Sequence, residues 1–328
     1  MTALAPSVAA VRVAVRRALA GVPSGSLVLA ACSGGADSLA LAAATAFVAP
    51  RQGLRCGLVT VDHQLQPGSA DRAAAVAKWG EAFGLSPVVS ARVEVGGRAG
   101  GPEAAAREAR YEALIAQARR VGAAAVLLGH TRDDQAETVL LALARGAGPR
   151  GLAAMPPRRD VAGVALLRPL LDVARTDTVA ACEALGLSVW RDPHNSDPSY
   201  ARARVRALLP ALTDALGPGL VGNLARAAAL AAADTEVLDA LATKEGADAA
   251  DGEGGLRISV LADLPAALRT RVLHAWAREL GAAGSALSAR HVDALDALVT
   301  RWHGQGAVAL PGALHVTRRD GRLTALQG

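Results

Sequence analysis

The chain has 328 residues, of which 52% are hydrophobic, which is enough for a large α/β domain plus a smaller one and excludes bulk disorder. Its formal net charge of +5 suits a polyanionic partner such as nucleic acid, although many other proteins carry a similar charge. The cysteines, Cys32, Cys56 and Cys182, are widely spaced and include no Cys-x-x-Cys pair. This spacing argues against a disulfide framework, a zinc site and a cysteine-held iron–sulfur cluster, and it predicts buried thiols in a reducing compartment.

The apolar segment 8–22 near the N-terminus has the length of a signal sequence. Arg12, Arg16 and Arg17 interrupt it at positions that share one helical face, so we interpret it as an amphipathic helix. No other stretch is long and uncharged enough to span a bilayer. The sequence therefore predicts a cytoplasmic protein without a membrane segment.

Along the first two hundred residues, strand-like and helix-like segments alternate, which is typical of a doubly wound parallel sheet with crossover helices. The predicted strands cover 26–32, 54–61, 86–95, 124–128 and 187–190. The predicted helices cover 39–48, 70–83, 103–121, 133–144, 177–185 and 200–209, the last ending at Pro210. We predict an exposed loop over 146–160 and a dense turn cluster over 192–199.

After Gly217-Pro218-Gly219 the character of the sequence changes. An Ala-rich helix over 223–244 and a flexible segment over 245–255 precede a strand, helices over 264–280 and 288–302, and a β-hairpin at Asp320-Gly321. We therefore predict a catalytic α/β domain over 1–217, and a helical linker with a small α+β domain over 218–328.

The run Ser33-Gly34-Gly35-Ala36-Asp37-Ser38 lies between a predicted strand and a predicted helix, as a phosphate-binding loop requires. Glycines let the backbone approach an anion, the helix start offers free N–H groups, and the two serines add hydroxyl donors. A carboxylate at Asp37 would repel phosphate unless a cation lay between them, so it predicts Mg²⁺. The run is not a Walker loop, which needs Gly-Lys-Ser/Thr. The alternative interpretation is a plain strand-to-helix turn with Asp37 or Ser38 as a cap.

This loop resembles the signature of the PP-loop (N-type) ATP pyrophosphatases. The resemblance implies a Rossmann-like doubly wound domain that cleaves ATP between the α and β phosphates, adenylates a carbonyl oxygen and lets a nucleophile displace AMP. It implies that residues 33–38 bind ATP and that Asp37 acts in catalysis and holds Mg²⁺.

Further motifs follow in a fixed order, and together they resemble the tRNA(Ile)-lysidine synthase family over roughly 27–209. The motifs are Val61-Asp62-His63-Gln64-Leu65, Gly101-Pro102-Glu103, Arg107 with Arg110-Tyr111, Gly129 to Thr138, Arg145-Gly146, Trp190-Arg191-Asp192, Asn195-Ser196-Asp197, Tyr200-Ala201-Arg202 and Arg206. The second domain resembles the family's first C-terminal domain more loosely. Members often have Asn after the arginine that matches Arg202, whereas this chain has Ala203, so the local geometry there can differ.

On the helix over 133–144, Asp134 and Glu137 are three residues apart, so both can face the cleft above the strand ends. His130 ends the preceding strand and faces the same space. We expect Ala136, Val139, Leu140 and Leu143 to form the buried stripe of this helix. Taken alone, acids in a first helical turn are more often caps, and a lone histidine is more often structural.

The resemblance gives these residues roles. Asp134 and Glu137 would hold L-lysine and accept the proton of its ε-amine, whose ordinary pKa is about 10.4. His130 and Arg202 would act in catalysis, Arg145 and Arg206 would bind substrate, and Asp62 with His63 would contact the nucleotide. For Arg204 we prefer a solvated helix face. We expect Asp192, Asn195 and Asp197 to shape the site, and we assign no metal role to His274, His291, His303 and His315.

The family implies ATP-dependent ligation of L-lysine to C2 of the wobble cytidine in tRNA(Ile) with a CAU anticodon, which releases AMP and pyrophosphate. Two alternatives stay open: another PP-loop enzyme such as a tRNA thiolase, and a catalytically inactive tRNA-binding module. Poorly placed cysteines disfavour thiolation, and an intact loop with Asp37 disfavours the inactive module. The sequence leaves the oligomeric state open, with a homodimer as one possibility.

Overall fold

The computed structural model describes residues 4–62, 64, 68–93, 102–190, 197–283 and 286–327, without the side chains of 102–106 and 327. Two compact units result, Met1–Ala232 and Ala233–Gly328. No helix among the described residues has both the length and the apolar character that crossing a membrane requires. The predicted division at residues 217 and 218 remains a proposal.

The first unit contains a six-stranded sheet in the order β3-β2-β1-β4-β6-β5. Five strands are parallel, and β5 pairs antiparallel with β6 at the edge. The strands are β1 (Leu27–Ala31), β2 (Arg55–Asp62), β3 (Val88–Arg92), β4 (Ala123–Leu127), β5 (Arg158–Val161) and β6 (Val164–Leu167). The strand order reverses between β1 and β4. Doubly wound folds bind their ligands at such a point, in the crevice outside the carboxyl ends of the strands.

The helices of this part of the chain are α1 (Pro6–Leu19), α2 (Ala36–Val48), α3 (Ser69–Ala82), α4 (Pro102–Arg120), α5 (Arg132–Ala144), α6 (Pro149–Leu152), α7 (Arg175–Ala184), α8 (Ala201–Leu216) and α9 (Leu220–Ala249). Alternate residues of β1 serve two cores, because successive side chains of a strand point to opposite faces. Val28 and Ala30 pack with α1, α2 and α7, whereas Leu27 and Leu29 pack with α4. The predicted amphipathic helix at the N-terminus is confirmed, since α1 buries Val8, Val11, Val15 and Leu19.

The second unit has an antiparallel sheet in the order β7-β10-β9-β8 and its own core around Leu273, Leu295 and Val316. Its elements after α9 are β7 (Leu256–Arg257), α10 (Ile258–Asp263), α11 (Ala266–Glu279), α12 (Ala289–Thr300), β8 (Val308–Leu310), β9 (Leu314–Arg319) and β10 (Arg322–Gln327). The predicted hairpin at Asp320-Gly321 joins β9 to β10. The predicted α/β fold with a small α+β domain is confirmed.

Several local predictions were wrong. No strand covers 187–190, where the backbone N–H of Trp190 donates instead to the carbonyl of Gly34 at 3.0 Å. Pro210 does not end its helix, because α8 continues through it to Leu216. The predicted flexible segment over 245–255 is helical as far as Ala249.

The predicted loop over 146–160 contains α6 and the first three residues of β5, which forms an unpredicted hairpin with β6. The first three residues of β5, Arg158-Arg159-Asp160, are exposed and carry no apolar alternation. Hydrogen bonds to the buried strand β6 place this segment in the sheet, and its own side-chain pattern does not reveal it.

Candidate active site

The phosphate loop joins β1 to α2 and is organised by the hydroxyl of Ser38. Its Oγ donates to the carbonyl of Gly35 at 2.9 Å and accepts from the backbone N–H of Ser33 at 3.1 Å. Gly34 has φ +87°, and a Cβ there would lie 3.1 Å from Cγ2 of Val76. The loop therefore closes tightly over the start of α2, whose first N–H groups lack intrahelical partners and can bind an anion.

Asp37 stands at the start of α2 with 27% of its side chain exposed. Thr178 of α7 donates a hydrogen bond to its Oδ1, and Nε of Arg175 lies 3.6 Å from its Oδ2. Burial raises the pKa of Asp37, an effect that the Thr178 hydrogen bond and the Arg175 charge oppose in part. Binding a cation at this carboxylate would relieve the cost of keeping it ionised.

The acid pair, Asp134 and Glu137, lies in the first turns of α5. Oδ2 of Asp134 accepts from the backbone N–H and the hydroxyl of Thr131, at 2.8 and 3.0 Å, and so completes a capping box. Its Oδ1 faces the arginines of the neighbouring helices. Glu137 is fully buried, with 0% of its side chain exposed. A buried carboxylate needs a cationic partner, and α7 and α8 supply these partners.

Arginines neutralise the acid pair. Arg175 contacts Oδ1 of Asp134 at 2.8 Å and Oε1 of Glu137 at 3.1 Å. Nε of Arg206 lies 2.8 Å from Oε1 of Glu137, and Nε of Arg202 lies 3.9 Å from Oε2. Burial raises the pKa of Asp134, but the charge of Arg175 and the Thr131 hydrogen bond outweigh it, so the pKa falls below the usual range. Asp134 is therefore ionised at neutral pH and is a weak proton acceptor.

His130 lies just beyond β4, and its Nδ1 is buried without a hydrogen-bond partner among the described residues. Burial, reinforced by the charge of Arg110, lowers the pKa of His130 to about 3. The imidazole is therefore neutral at physiological pH and presents an unpaired ring nitrogen. An orphaned polar atom at this edge of the sheet fits a site that is completed by a ligand.

Basic side chains surround the hydroxyl of Tyr111 on α4. Arg107 lies 3.5 Å and Arg168 3.4 Å from this oxygen. Burial raises the pKa of Tyr111, but the nearby charges of Arg107 and Arg168 lower it by more. Burial also lowers the pKa of Arg110. This concentration of positive charge beside His130 favours an anionic ligand.

The structure brings together most of the residues that the sequence singled out. Arg175 joins Asp37 to Asp134 and Glu137, and Glu137 in turn pairs with Arg202 and Arg206.

Other predicted site residues do not join this cluster of charges, and some lie outside the described residues. Asp62 ends β2, next to β1, and its Oδ1 accepts from the N–H of Gln64 at 3.0 Å. Arg145 is exposed at the far end of α5, roughly 16 Å along the helix from Asp134. Arg204 is exposed and bonded to loop carbonyls, as expected. Three predicted residues lie outside the described residues: His63, Asp192 and Asn195.

The sequence analysis missed Arg175 and Thr178, which link α7 to the phosphate loop and to the acid pair. A signal was present, because a cation at the first residue of a helix opposes the helix dipole unless acids compensate it. Asp133 is one such acid, since its Oδ2 accepts from the backbone N–H of Arg175 at 2.8 Å.

A divalent cation fits this site if the protein supplies few of its ligands. Among the described residues, no group of three or more His, Cys, Asp or Glu side chains is arranged to hold a metal ion. Mg²⁺, however, often takes only one or two protein carboxylates and completes its shell with substrate phosphates and water. Asp37, partly exposed beside the phosphate loop, matches that requirement.

A Ser-Gly-Gly-x-Asp-Ser loop at the switch point of a doubly wound sheet defines a PP-loop domain, a class that uses ATP. A family model described as a PP-loop domain matches residues 11–212, and one described as the TilS substrate binding domain matches residues 256–324. A tRNA(Ile)-lysidine synthase of Salinispora arenicola (strain CNS-205) is 66% identical over 327 residues, which cover 99% of this chain and 98% of the relative. Another, from Thermobifida fusca (strain YX), is 56% identical over 319 residues, with 97% of both chains covered. The chain belongs to the tRNA(Ile)-lysidine synthase family.

Solved structures support the fold. A U34-tRNA thiolase from Methanococcus maripaludis matches with a TM-score of 0.56 and 19% identity, covering 68% of this chain and 78% of that chain. At this identity the likeness extends to the fold alone. The cysteines here do not favour thiolation, because all three are buried and free. Burial raises the pKa of Cys32, and raises that of Cys182 to about 11, so these thiols remain protonated.

Proposed function

We propose that this chain ligates L-lysine to C2 of the wobble cytidine in tRNA(Ile) with a CAU anticodon, using ATP and releasing AMP and pyrophosphate. The observation that carries the proposal is the junction at Arg175. One side chain there touches both the carboxylate of the phosphate loop, Asp37, and the acid pair of α5, Asp134 and Glu137. A site that places phosphate-binding and ammonium-binding groups in contact suits a reaction between ATP and an amine.

In the first step, the C2 oxygen of the cytidine attacks the α-phosphate of ATP and pyrophosphate leaves. The loop over 33–38 would hold the departing phosphates with its N–H groups and with the hydroxyls of Ser33 and Ser38. Asp37 would hold Mg²⁺, which neutralises phosphate charge when bound. His130 stays neutral, so its ring can form a hydrogen bond with the cytosine base without adding charge to the site.

In the second step, the ε-amine of lysine attacks C2 and AMP departs. Asp134 and Glu137 would hold the ammonium group, since each accepts strong charge-assisted hydrogen bonds. The lowered pKa of Asp134 makes it a better anchor for positive charge than a proton acceptor. The acid pair would also take the proton that the amine loses before it attacks. The product base would pair with A instead of G.

The small unit would bind tRNA, because the matching family model describes a substrate-binding domain. Arg202 and Arg206 lie beside the acid pair and would contact the adenylated intermediate. Arg145, exposed at the end of α5, would meet the tRNA backbone. This proposal includes a domain boundary between residues 217 and 218 and a cytoplasmic location. It also includes a homodimer, which light scattering of the purified chain would detect.

The test is incorporation of labelled lysine into an unmodified tRNA(Ile) transcript with ATP and Mg²⁺, with AMP followed in parallel. We expect label only in the transcript with C at the wobble position, and none in a matched transcript with U there. AMP without lysine transfer would mean that the nucleophile or the acceptor base is wrong. No AMP with either transcript would favour the inactive binding module.

Asp37→Asn is the matched variant, because it keeps the shape of the side chain and removes the charge. We expect it to lose most AMP formation while still binding tRNA. Arg204→Gln serves as the control, since Arg204 is exposed and its side chain donates to the backbone carbonyls of Pro198 and Ser199. It should retain activity.

A further inference from the structure

Arg175 lies between three carboxylates. Its Nε is 3.6 Å from Asp37, one terminal nitrogen is 2.8 Å from Asp134, and the other is 3.1 Å from Glu137. Each guanidinium nitrogen thus faces a different acid. The side chain remains 24% exposed, so it borders solvent as well as the cluster.

The position of this guanidinium conflicts with the ligands of the proposed reaction. Asp37 would hold Mg²⁺, and Asp134 with Glu137 would hold the ammonium of lysine. Oδ1 of Asp134 already has two guanidinium partners, Arg175 at 2.8 Å and Arg206 at 3.4 Å, so a lysine ammonium would have to displace one of them. The arginine and the ligand cations therefore compete for the same oxygens.

Charge balance leads to the same conclusion. Three arginines, Arg175, Arg202 and Arg206, face the three carboxylates. The charges of these six side chains balance, so a further cation gains little attraction from them unless one arginine leaves.

Of these arginines, Arg175 is the one whose position lets it move from the carboxylates to the phosphates of ATP. Its Nε is beside Asp37 at the start of α2, where the phosphates of ATP would arrive, so a short side-chain rotation gives it new anionic partners. Its backbone N–H is bonded to Asp133 at 2.8 Å, which keeps the start of α7 fixed while the side chain moves.

We infer that Arg175 is a placeholder cation, which holds the three carboxylates together before ATP binds and transfers to the phosphates when ATP binds. Its departure frees Asp37 for the divalent cation and the acid pair for lysine, so ATP binding precedes and strengthens lysine binding. The inference rests on the proposed function for the identity of the amine. Arg175 is on this view a positioning residue, and a permanent structural ion pair is the competing explanation.

The first experiment uses the wild-type chain and needs no variant. Calorimetry measures lysine affinity with Mg²⁺ present, with and without a non-hydrolysable α,β-methylene analogue of ATP. We expect the analogue to strengthen lysine binding on the order of 10-fold, a typical coupling between two sites. Equal lysine affinity in both conditions would overturn the inference.

The second experiment uses Arg175→Gln, which leaves the three carboxylates with one cation fewer. We expect Mg²⁺ alone, and lysine alone, to bind on the order of 10-fold tighter than in the wild type, and the ATP analogue to bind more weakly. Mg²⁺ should also raise the melting temperature of the variant more than that of the wild type. Weaker binding of all three ligands would indicate a permanent structural pair and contradict the inference.

Two further variants separate charge from structure. Arg175→Lys keeps the charge, so its affinities for Mg²⁺ and lysine alone should stay near those of the wild type. Arg271→Gln removes a comparable partly buried pair with Asp239, 3.0 Å long, in the second unit. The melting temperature of Arg271→Gln should be lower than that of the wild type by the same amount with and without Mg²⁺.

The Mg²⁺ measurements distinguish failure of the inference from failure of the proposed function. They involve neither lysine nor tRNA. If Mg²⁺ binding rises in Arg175→Gln but lysine binds no form of the chain, the placeholder role stands and the amine substrate is wrong. If lysine is transferred to tRNA but Mg²⁺ binding is unchanged in Arg175→Gln, the reaction stands and the placeholder role is wrong.

Discussion

The half-buried ring of His130, whose Nδ1 is fully buried, makes the stability of the protein depend on pH. Its pKa is lowered to about 3, mainly by burial, whereas an unfolded histidine has a pKa of about 6.5. The unfolded chain therefore binds a proton first as pH falls. The contribution of His130 to stability is fully present above pH 6.5 and is lost progressively as pH falls from 6.5 towards 3.

We expect this loss to be roughly 2 kcal/mol between pH 6.5 and pH 5, at about 1.4 kcal/mol per pH unit. Urea unfolding of the wild type and of His130→Asn at both pH values measures it. The wild type should lose more stability than the variant by about that amount. Asp37, whose raised pKa acts in the opposite direction, is present in both chains and cancels in the difference. Equal losses would mean that the imidazole is not held neutral.

Gly129 shows how closely the acid-bearing segment approaches the phosphate loop. A Cβ at this position would lie 3.2 Å from the backbone carbon and oxygen of Asp37 and from the backbone nitrogen of Ser38. Gly129→Ala should therefore push the start of α2 outward. We expect a loss of about 1–3 kcal/mol in unfolding free energy, as for other overpacked sites, together with weaker ATP binding.

Gly222→Ala is the matched control for that substitution. Gly222 lies inside α9, and a Cβ there meets nothing within 4 Å. The change should leave ATP affinity unaltered and add up to about 1 kcal/mol of stability, because alanine favours a helix over glycine. Unaltered ATP affinity in Gly129→Ala would show that the contact with α2 yields easily.

At the scale of elements, α5 buries its charged face. The apolar stripe predicted for it was wrong at Leu143, which is 51% exposed, whereas Gln135 and Glu137 are buried. The side chain of Gln135 donates to the carbonyl of Met155 and accepts from its N–H, both at 2.9 Å. This pair of bonds attaches the segment before β5 to α5.

Gln135→Glu tests that attachment. The variant keeps the acceptor for the Met155 N–H but brings a second oxygen to the Met155 carbonyl, which leaves a buried acceptor without its donor. We expect a loss of about 1–3 kcal/mol, measured by chemical denaturation. The loss should shrink at low pH, where the carboxyl is protonated and can donate again. A pH-independent loss would contradict this explanation.

Patterns that depend on apolar side chains were predictable at this scale, and polar contacts between distant elements were not. The strand–helix alternation located β1 to β4 and α2 to α5 because each element buries a face of recognisable period. Arg175 was missed because its partners, Asp134 and Glu137, are about forty residues away in sequence. The role of Arg175 exists only when α5 and α7 lie side by side.

At the scale of the molecule, two units have separate cores. The core around Leu295 shares no residue with the cores on the two faces of the large sheet. Leu295 is fully buried, so Leu295→Ala should cost about 2–5 kcal/mol. Because this core lies outside the PP-loop unit, we expect tRNA affinity to fall while affinity for the ATP analogue is unchanged.

Filter binding with tRNA and calorimetry with the analogue check that prediction on the same preparation. The salt dependence of tRNA binding should also weaken if the small unit binds phosphates, since a phosphate that is no longer neutralised keeps its counterions. A parallel loss of nucleotide affinity would mean that the two units do not act independently.

The sequence by itself determined the phosphate loop, the order of the main strands and helices, and the acids at residues 37, 134 and 137. These features are local, because glycine geometry, hydrophobic period and the start of a helix are properties of neighbouring residues. Only the tertiary structure decided which charges meet. It buried Nδ1 of His130 with no hydrogen-bond partner in the described part of the chain, placed Arg175 among three carboxylates and left Arg145 at the far end of α5. Electrostatic interactions act through space, so their partners are fixed by packing and cannot be derived from the order of residues along the chain.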